Sequence, residues 1–65
     1  HLKTTQGDII ISSGAYIGTG VMILENVEVG ENTIIGASSL VNRSIPPNSK
    51  AYGLPCRVQE TLNDN

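Results

Sequence analysis

The sequence predicts an all-β solenoid in which a short strand and a corner recur every six residues. The leading position of each unit is a β-branched aliphatic residue: Ile11, Ile17, Ile23, Val29, Ile35 and Val41. The fourth position is mostly Gly or Asn, and these residues accept the positive φ that a tight turn needs. Because a period of six is neither a helical face nor a simple strand alternation, it indicates a structural unit that closes every six residues.

Three units are expected to close one triangular coil, so residues 11–28 and 29–46 form two complete coils with parallel rungs. The stacked inward pairs are then Ile11 with Val29, Ile17 with Ile35, and Ile23 with Val41. The stacked outward pairs are Tyr16 with Ile34, Met22 with Leu40, and Glu28 with Pro46. Two outward faces are thus apolar, which indicates a partner surface or a ligand groove. The alternative is scattered exposed apolar residues, which are common on proteins.

The chain divides into three segments: an incomplete coil or lead-in at 1–10, the repeat at 11–46, and a cap loop and tail at 47–65. Pro46 and Pro47 remove ladder donors and end the sheet. Nothing in the sequence caps the lower rung, and a solenoid needs about three repeats. We therefore expect further coils upstream, with oligomerisation adding stability to so short a chain.

Composition excludes several classes of function. A net charge of −2 provides no basic surface for nucleic acid, and no apolar run is long enough to span a membrane. We expect a soluble, cytoplasmic protein. The single Cys and single His do not make a zinc site, so no metal is predicted. Cys56 is interpreted as a small packing residue, and Glu25, Glu28 and Glu31 as a solvated corner.

Four stretches of the sequence resemble the hexapeptide-repeat acetyltransferases, most closely the galactoside, maltose and polysaccharide O-acetyltransferases. They are Ile17-Gly18-Thr19-Gly20, residues 29–41, Ile45-Pro46-Pro47-Asn48-Ser49, and Gly53-Leu54-Pro55-Cys56-Arg57-Val58. The resemblance implies a left-handed parallel β-helix and a homotrimer with acetyl-CoA in the groove between neighbouring prisms. It also implies a carbohydrate acceptor whose hydroxyl is deprotonated by a histidine from an earlier coil. This chain would be the coenzyme-binding C-terminal part.

The resemblance carries five cofactor-binding residues over to this chain. Thr19 and Ala37 match small positions beside the pantetheine arm. Asn42 and Arg43 stand where the family usually has Thr-Lys, near the coenzyme's phosphates, and Arg57 matches a basic residue that reaches the nucleotide phosphates. Arginine suits phosphate because its planar fork of donors matches phosphate oxygens.

The chain also departs from the family pattern. Tyr16 replaces a frequent Trp near the acyl group, and Glu60 stands where a basic residue is common. His1 is the candidate catalytic base, and the alternative is an arbitrary chain start or a tag remnant.

Two functions follow as hypotheses. The first is an acetyl-CoA-dependent O-acetyltransferase that acts on a sugar or polysaccharide hydroxyl. The second is a truncated, non-catalytic β-helix that serves as a trimerisation module, which would not require Arg43, Arg57 or the Gly-Leu-Pro loop. A β-helical carbonic anhydrase would need three zinc-binding histidines, and this chain has one.

Overall fold

The computed structural model describes residues 7–62, and in that range it contains strands and turns without any helix. The strands are β1 (Ile9–Ile11), β2 (Tyr16–Ile17), β3 (Met22–Ile23), β4 (Val27–Val29), β5 (Ile34–Ile35), β6 (Leu40–Val41), β7 (Ser49–Gly53) and β8 (Cys56–Thr61). They form three sheets, which are the faces of a triangular prism. Face A holds β1 and β4, face B holds β2, β5, β7 and β8, and face C holds β3 and β6.

The first two coils stack in parallel at the predicted register. Ile11 pairs with Val29, Ile17 with Ile35, and Ile23 with Val41. The outward pairs Tyr16 with Ile34 and Met22 with Leu40 are also confirmed. Side chains alternate along such short strands, so the leading aliphatics enter the interior while the preceding residues face outward.

The corners lie where the fourth position of the repeat predicts them. Five successive corner residues have positive φ: Gly14, Gly20, Asn26, Asn32 and Ser38. Backbone hydrogen bonds link stacked corners, for example Asn32 N–H to the Ser13 carbonyl at 3.1 Å. The turn chemistry of Gly and Asn therefore sets the six-residue period.

The second coil is shorter than predicted, and the expected stacking of Glu28 with Pro46 is wrong. Glu28 lies level with Ser44, to whose Oγ its N–H donates at 2.9 Å across 16 residues. Ile45 pairs with Val29, and the next positive-φ residue after Ser38 is Asn48. The physical reason is that the corner after Val41 is abbreviated, and Ile45 still reaches the interior, where it is 3% exposed.

The core is a cluster of small and β-branched side chains stacked in columns inside the prism. Its buried members are Val27, Val29, Ile35, Val41, Ile45, Ala51 and Cys56. Ile9 and Ile11 occupy the same columns one coil below, yet each is about half exposed (47% and 48%). Within residues 7–62, β1 has a neighbouring strand on one side only, which accounts for this exposure.

A hairpin closes the upper end of face B. β7 adds to β5 in parallel, with Ala51 beside Ile35, and β8 returns antiparallel to β7. The turn between them contains Gly53 at φ 118° and a cis Leu54–Pro55 peptide. Residues 47–65 were predicted as a cap loop and tail, and the structure shows two strands within that segment. The three-segment division remains a prediction as a set of domain boundaries.

Candidate functional site

Thr19 and Ala37 lie on successive coils at the corner between faces B and C. The Ser38 N–H donates to the Thr19 carbonyl at 2.8 Å, which links the two corners directly. The corners are packed backbone to backbone, because a Cβ added at Gly18 would lie 2.7 Å from the Ala37 nitrogen. Thr19 and Ala37 are both exposed, so this corner is a narrow ridge with small side chains.

Asn42 and Arg57 form the second part of the candidate site. Arg57 lies on β8, and its Nη1 donates to Asn42 Oδ1 at 2.8 Å and to the Cys56 carbonyl at 2.7 Å. Asn42 directly follows β6 and is exposed, whereas Arg57 is half-buried. Arg43 is exposed next to Asn42 at the same corner. The hairpin therefore brings Arg57 to the C-terminal end of face C.

The structure thus gathers the predicted cofactor residues into two groups at opposite ends of face C. Ala37 precedes β6 and Asn42 follows it, and an extended chain advances about 3.3 Å per residue. The two groups are separated by a span on the order of 15 Å. Met22 and Leu40 face outward between them, with Met22 60% exposed. His1, the candidate catalytic base, lies outside the described residues.

The hydroxyl of Ser39 fixes the hairpin that carries Arg57, a role that sequence reasoning missed. Ser39 is 2% exposed, its Oγ donates to the Gly36 carbonyl at 2.8 Å, and it accepts from the Gly53 N–H at 3.0 Å. The available signal was a polar Ser at the fifth, inward position of the repeat, since a buried hydroxyl requires partners.

Cys56, the first residue of β8, is fully buried. Burial raises the pKa of the Cys56 thiol above its ordinary value of 9.0, while a hydrogen bond with Ser39 and the charge of Arg57 lower it in part. A raised pKa keeps the thiol protonated at neutral pH, and a protonated thiol is a poor nucleophile. This agrees with its interpretation as a packing residue.

The structure locates the two residues that depart from the family pattern, Glu60 and Tyr16. Glu60 pairs with Lys50 across the β7–β8 ladder, so an acid and a base face each other there. Tyr16 lies outward on face B, 65% exposed and stacked beside Ile34.

Two open depressions lie on face A, and none of the predicted cofactor residues lines either of them. One, of about 370 Å³, is lined by Glu28, Gly30, Ser44, Ile45, Pro46 and Pro47. The other, of about 300 Å³, is lined by Asp8, Ile10, Asn26, Val27, Glu28 and Ser44. Their only charged lining residues are acidic, which disfavours phosphates. We therefore place the candidate site along face C, at whose C-terminal end Arg57 reaches Asn42.

In the part of the chain that the structure describes, no three His, Cys, Asp or Glu side chains come together as metal ligands would. No helix in that part has the length and apolarity needed to cross a membrane.

A triangular parallel β-helix with small-residue corners defines a class of solenoid proteins, and the comparisons with known proteins identify the family. Residues 8–43, more than half of the chain, match the family described as "Bacterial transferase hexapeptide (six repeats)". The chain belongs to this family and has its fold, a left-handed parallel β-helix. The handedness predicted from the resemblance is thereby confirmed.

Named relatives and solved structures show which proteins of this family the chain is similar to. It is 42% identical to the galactoside O-acetyltransferase of Lactococcus lactis over 88% of this chain and 28% of that relative. A galactoside acetyltransferase solved with coenzyme A is 46% identical, with a TM-score of 0.84, over 86% of this chain and 28% of that one. A hexapeptide-repeat acetyltransferase of Vibrio cholerae solved with acetyl coenzyme A is 33% identical, with a TM-score of 0.87, over 89% and 32%. The chain thus spans less than a third of the length of each of these relatives.

Proposed function

We propose that this chain supplies the coenzyme-binding part of an acetyl-CoA-dependent O-acetyltransferase that modifies a sugar or polysaccharide hydroxyl. The observation that carries the proposal is the contact of Arg57 with Asn42 at one end of face C, with the Thr19–Ala37 ridge at the other end. Acetyl-CoA is long and anionic, so a ridge with small side chains suits its pantetheine arm and arginines suit its phosphates. The relatives solved with coenzyme A and acetyl coenzyme A support this choice of co-substrate.

The reaction would be a direct transfer of the acetyl group. The acceptor hydroxyl oxygen attacks the thioester carbonyl carbon, a general base removes the hydroxyl proton, and the carbon–sulfur bond breaks to release the coenzyme thiol. Residues 7–62 would contribute binding and orientation to this reaction, through Thr19, Ala37, Asn42, Arg43 and Arg57. His1 remains a proposal for the base, and the acceptor class comes from the galactoside-acetylating relative.

The apolar outward pairs support a homotrimer as the working form. Tyr16 with Ile34 covers face B, and Met22 with Leu40 covers face C, so two faces of one prism offer apolar surface to neighbours. The same surfaces would serve the second candidate function, a non-catalytic trimerisation module. Coenzyme binding distinguishes the acetyltransferase from the trimerisation module. Cytoplasmic location belongs to the same proposal, because acetyl-CoA must be available.

Calorimetric titration of acetyl-CoA into the purified chain tests the proposal, with oligomeric state followed by light scattering. We expect saturable binding to a trimer. Changing Arg57 to Ala should weaken it at least about tenfold, as loss of a charge-assisted phosphate contact does. Lys50→Ala is the matched control, since it removes the same charge from face B and should change affinity less than about twofold. A folded trimer that binds no acetyl-CoA would leave only the trimerisation module.

A further inference from the structure

Within residues 7–62, the guanidinium group of Arg57 is held through a single nitrogen, Nη1. Nη1 donates to both Asn42 Oδ1, at 2.8 Å, and the Cys56 carbonyl, at 2.7 Å. Among residues 7–62, neither Nε nor Nη2 has a hydrogen-bond acceptor. Two acceptors on one nitrogen define the plane of the group, so its opposite edge has a fixed direction.

The open edge is the one that binds phosphate in a bidentate manner. Nε–H and Nη2–H are parallel donors that lie in the guanidinium plane along the same edge, and such a fork matches two phosphate oxygens. Orienting that edge before the ligand arrives reduces the side-chain ordering that binding would otherwise require.

We infer that Asn42 is a positioning residue, whose side-chain oxygen orients Arg57 for the coenzyme's phosphates. This inference rests on the proposed function, and it gives a defined role to a residue that the family resemblance places near the coenzyme's phosphates. The oxygen of the Asn42 amide is committed to Arg57. A neutral acceptor at this position holds the guanidinium without compensating its charge, whereas a carboxylate would hold it and also repel phosphate.

A double-mutant cycle tests the inference, with acetyl-CoA affinity measured by calorimetry. Asn42→Leu keeps the approximate size of the side chain but removes the acceptor, and Asn42 is exposed, so the fold should tolerate the change. We expect about fivefold weaker binding with Arg57 present, the effect of one ordinary hydrogen bond, and less than about twofold in the Arg57→Ala background. Equal weakening in both backgrounds would overturn the inference, because Asn42 would then act independently of Arg57.

Nitrogen-15 NMR of the Arg57 guanidinium gives a second readout, which a general loss of stability would not mimic. Restricted rotation should give separate Nη1 and Nη2 signals in the unmodified chain, and Asn42→Leu should merge them. Asn42→Asp should keep the Nη1 and Nη2 signals separate, because it retains the acceptor. It should also bind acetyl-CoA more weakly than the unmodified chain, because it adds a negative charge. The inference would be overturned if the Nη1 and Nη2 signals were merged in the unmodified chain, or if Asn42→Asp bound acetyl-CoA more tightly than the unmodified chain.

These outcomes separate the inference from the proposed function. If the folded, unmodified chain binds no acetyl-CoA, the proposed function fails and the inference fails with it. If it binds acetyl-CoA but the cycle shows no coupling between Asn42 and Arg57, the inference alone fails.

Discussion

The hydroxyl oxygen of Ser39 accepts a hydrogen bond from the backbone N–H of Gly53 at 3.0 Å, although the two residues lie 14 positions apart. This bond joins the second coil to the β7–β8 hairpin at the turn that leads to Arg57. The same hydroxyl donates its one proton to the Gly36 carbonyl, so it links the second coil and the hairpin through both a donated and an accepted hydrogen bond. Ser39 therefore adds a buried contact to the β5–β7 and β7–β8 ladders that position the Arg57 backbone.

Ser39→Ala should lower the free energy of unfolding by about 1–3 kcal/mol, because it leaves the Gly53 N–H and the Gly36 carbonyl without their partner. Urea denaturation followed by circular dichroism measures the change. Ser13→Ala is the control: Ser13 is exposed at a corner, so the expected change is within about 0.5 kcal/mol. Similar values for the two variants would contradict the importance of the Ser39 bonds.

Substitutions at the neighbours Ile34 and Ile35 on β5 should have different effects, one on self-association and the other on stability. Ile35 is fully buried, and Ile35→Ala should cost about 2–5 kcal/mol of unfolding free energy. Ile34 is 37% exposed on face B, so Ile34→Ala should mainly weaken assembly into trimers.

Denaturation and light scattering at several protein concentrations measure both effects, because unfolding of an oligomer depends on concentration. A trimer unchanged by Ile34→Ala would show that this part of face B is not an interface.

Stability should fall in alkaline solution because of Cys56. Its pKa is raised by burial in the folded chain, so the unfolded chain loses the thiol proton first. The free energy of unfolding, relative to that of Cys56→Ala, should be constant below the ordinary pKa of 9.0 and should fall as the pH rises above it. The fall should level off above the folded-state pKa.

Urea denaturation of both chains between pH 7 and pH 11 measures this difference. A constant difference across that range, or a growing stabilisation by Cys56 at high pH, would contradict the raised pKa.

Gly18→Ala should disturb the ridge at the corner between faces B and C. The new Cβ would lie 2.7 Å from the Ala37 nitrogen, so the corners must move apart. We expect a loss of about 1–3 kcal/mol in unfolding free energy and weaker acetyl-CoA binding.

Gly20→Asn is the matched control, since Asn26 and Asn32 already occupy equivalent corner positions at positive φ. Denaturation and calorimetry on both variants measure the contrast. Equal acetyl-CoA affinity in Gly18→Ala and the unmodified chain would argue against a binding role for this ridge.

The stacking of the first two coils was predictable because β-branched leading residues and positive-φ corners recur together. The shortened second coil was not, for a specific reason. Ile45 faces inward whether it stacks on Val27 or on Val29, so its apolar character does not distinguish the two registers. The residues that reveal the change are Ser44, which lacks positive φ, and Asn48, which has it.

The candidate site was only partly predictable. The resemblance selected Asn42 and Arg57 individually, but their contact joins residues 15 positions apart and depends on the return of β8 along β7. The Gly53-Leu54-Pro55 sequence indicated a turn without indicating the antiparallel strand that follows it. Long-range pairing of this kind depends on the sheet already formed by β5 and β7.

Mapping acetyl-CoA onto the chain by NMR tests the central claim most directly. Backbone amide signals of the isotopically labelled chain would be followed during a titration to saturation. We predict that the largest shifts occur at Thr19, Ala37 and Arg57, with little change at Glu28 and Ser44 in the depressions on face A. Saturable shifts confined to Glu28 and Ser44, or no saturable shifts in the folded chain, would contradict the placement of the coenzyme site on face C.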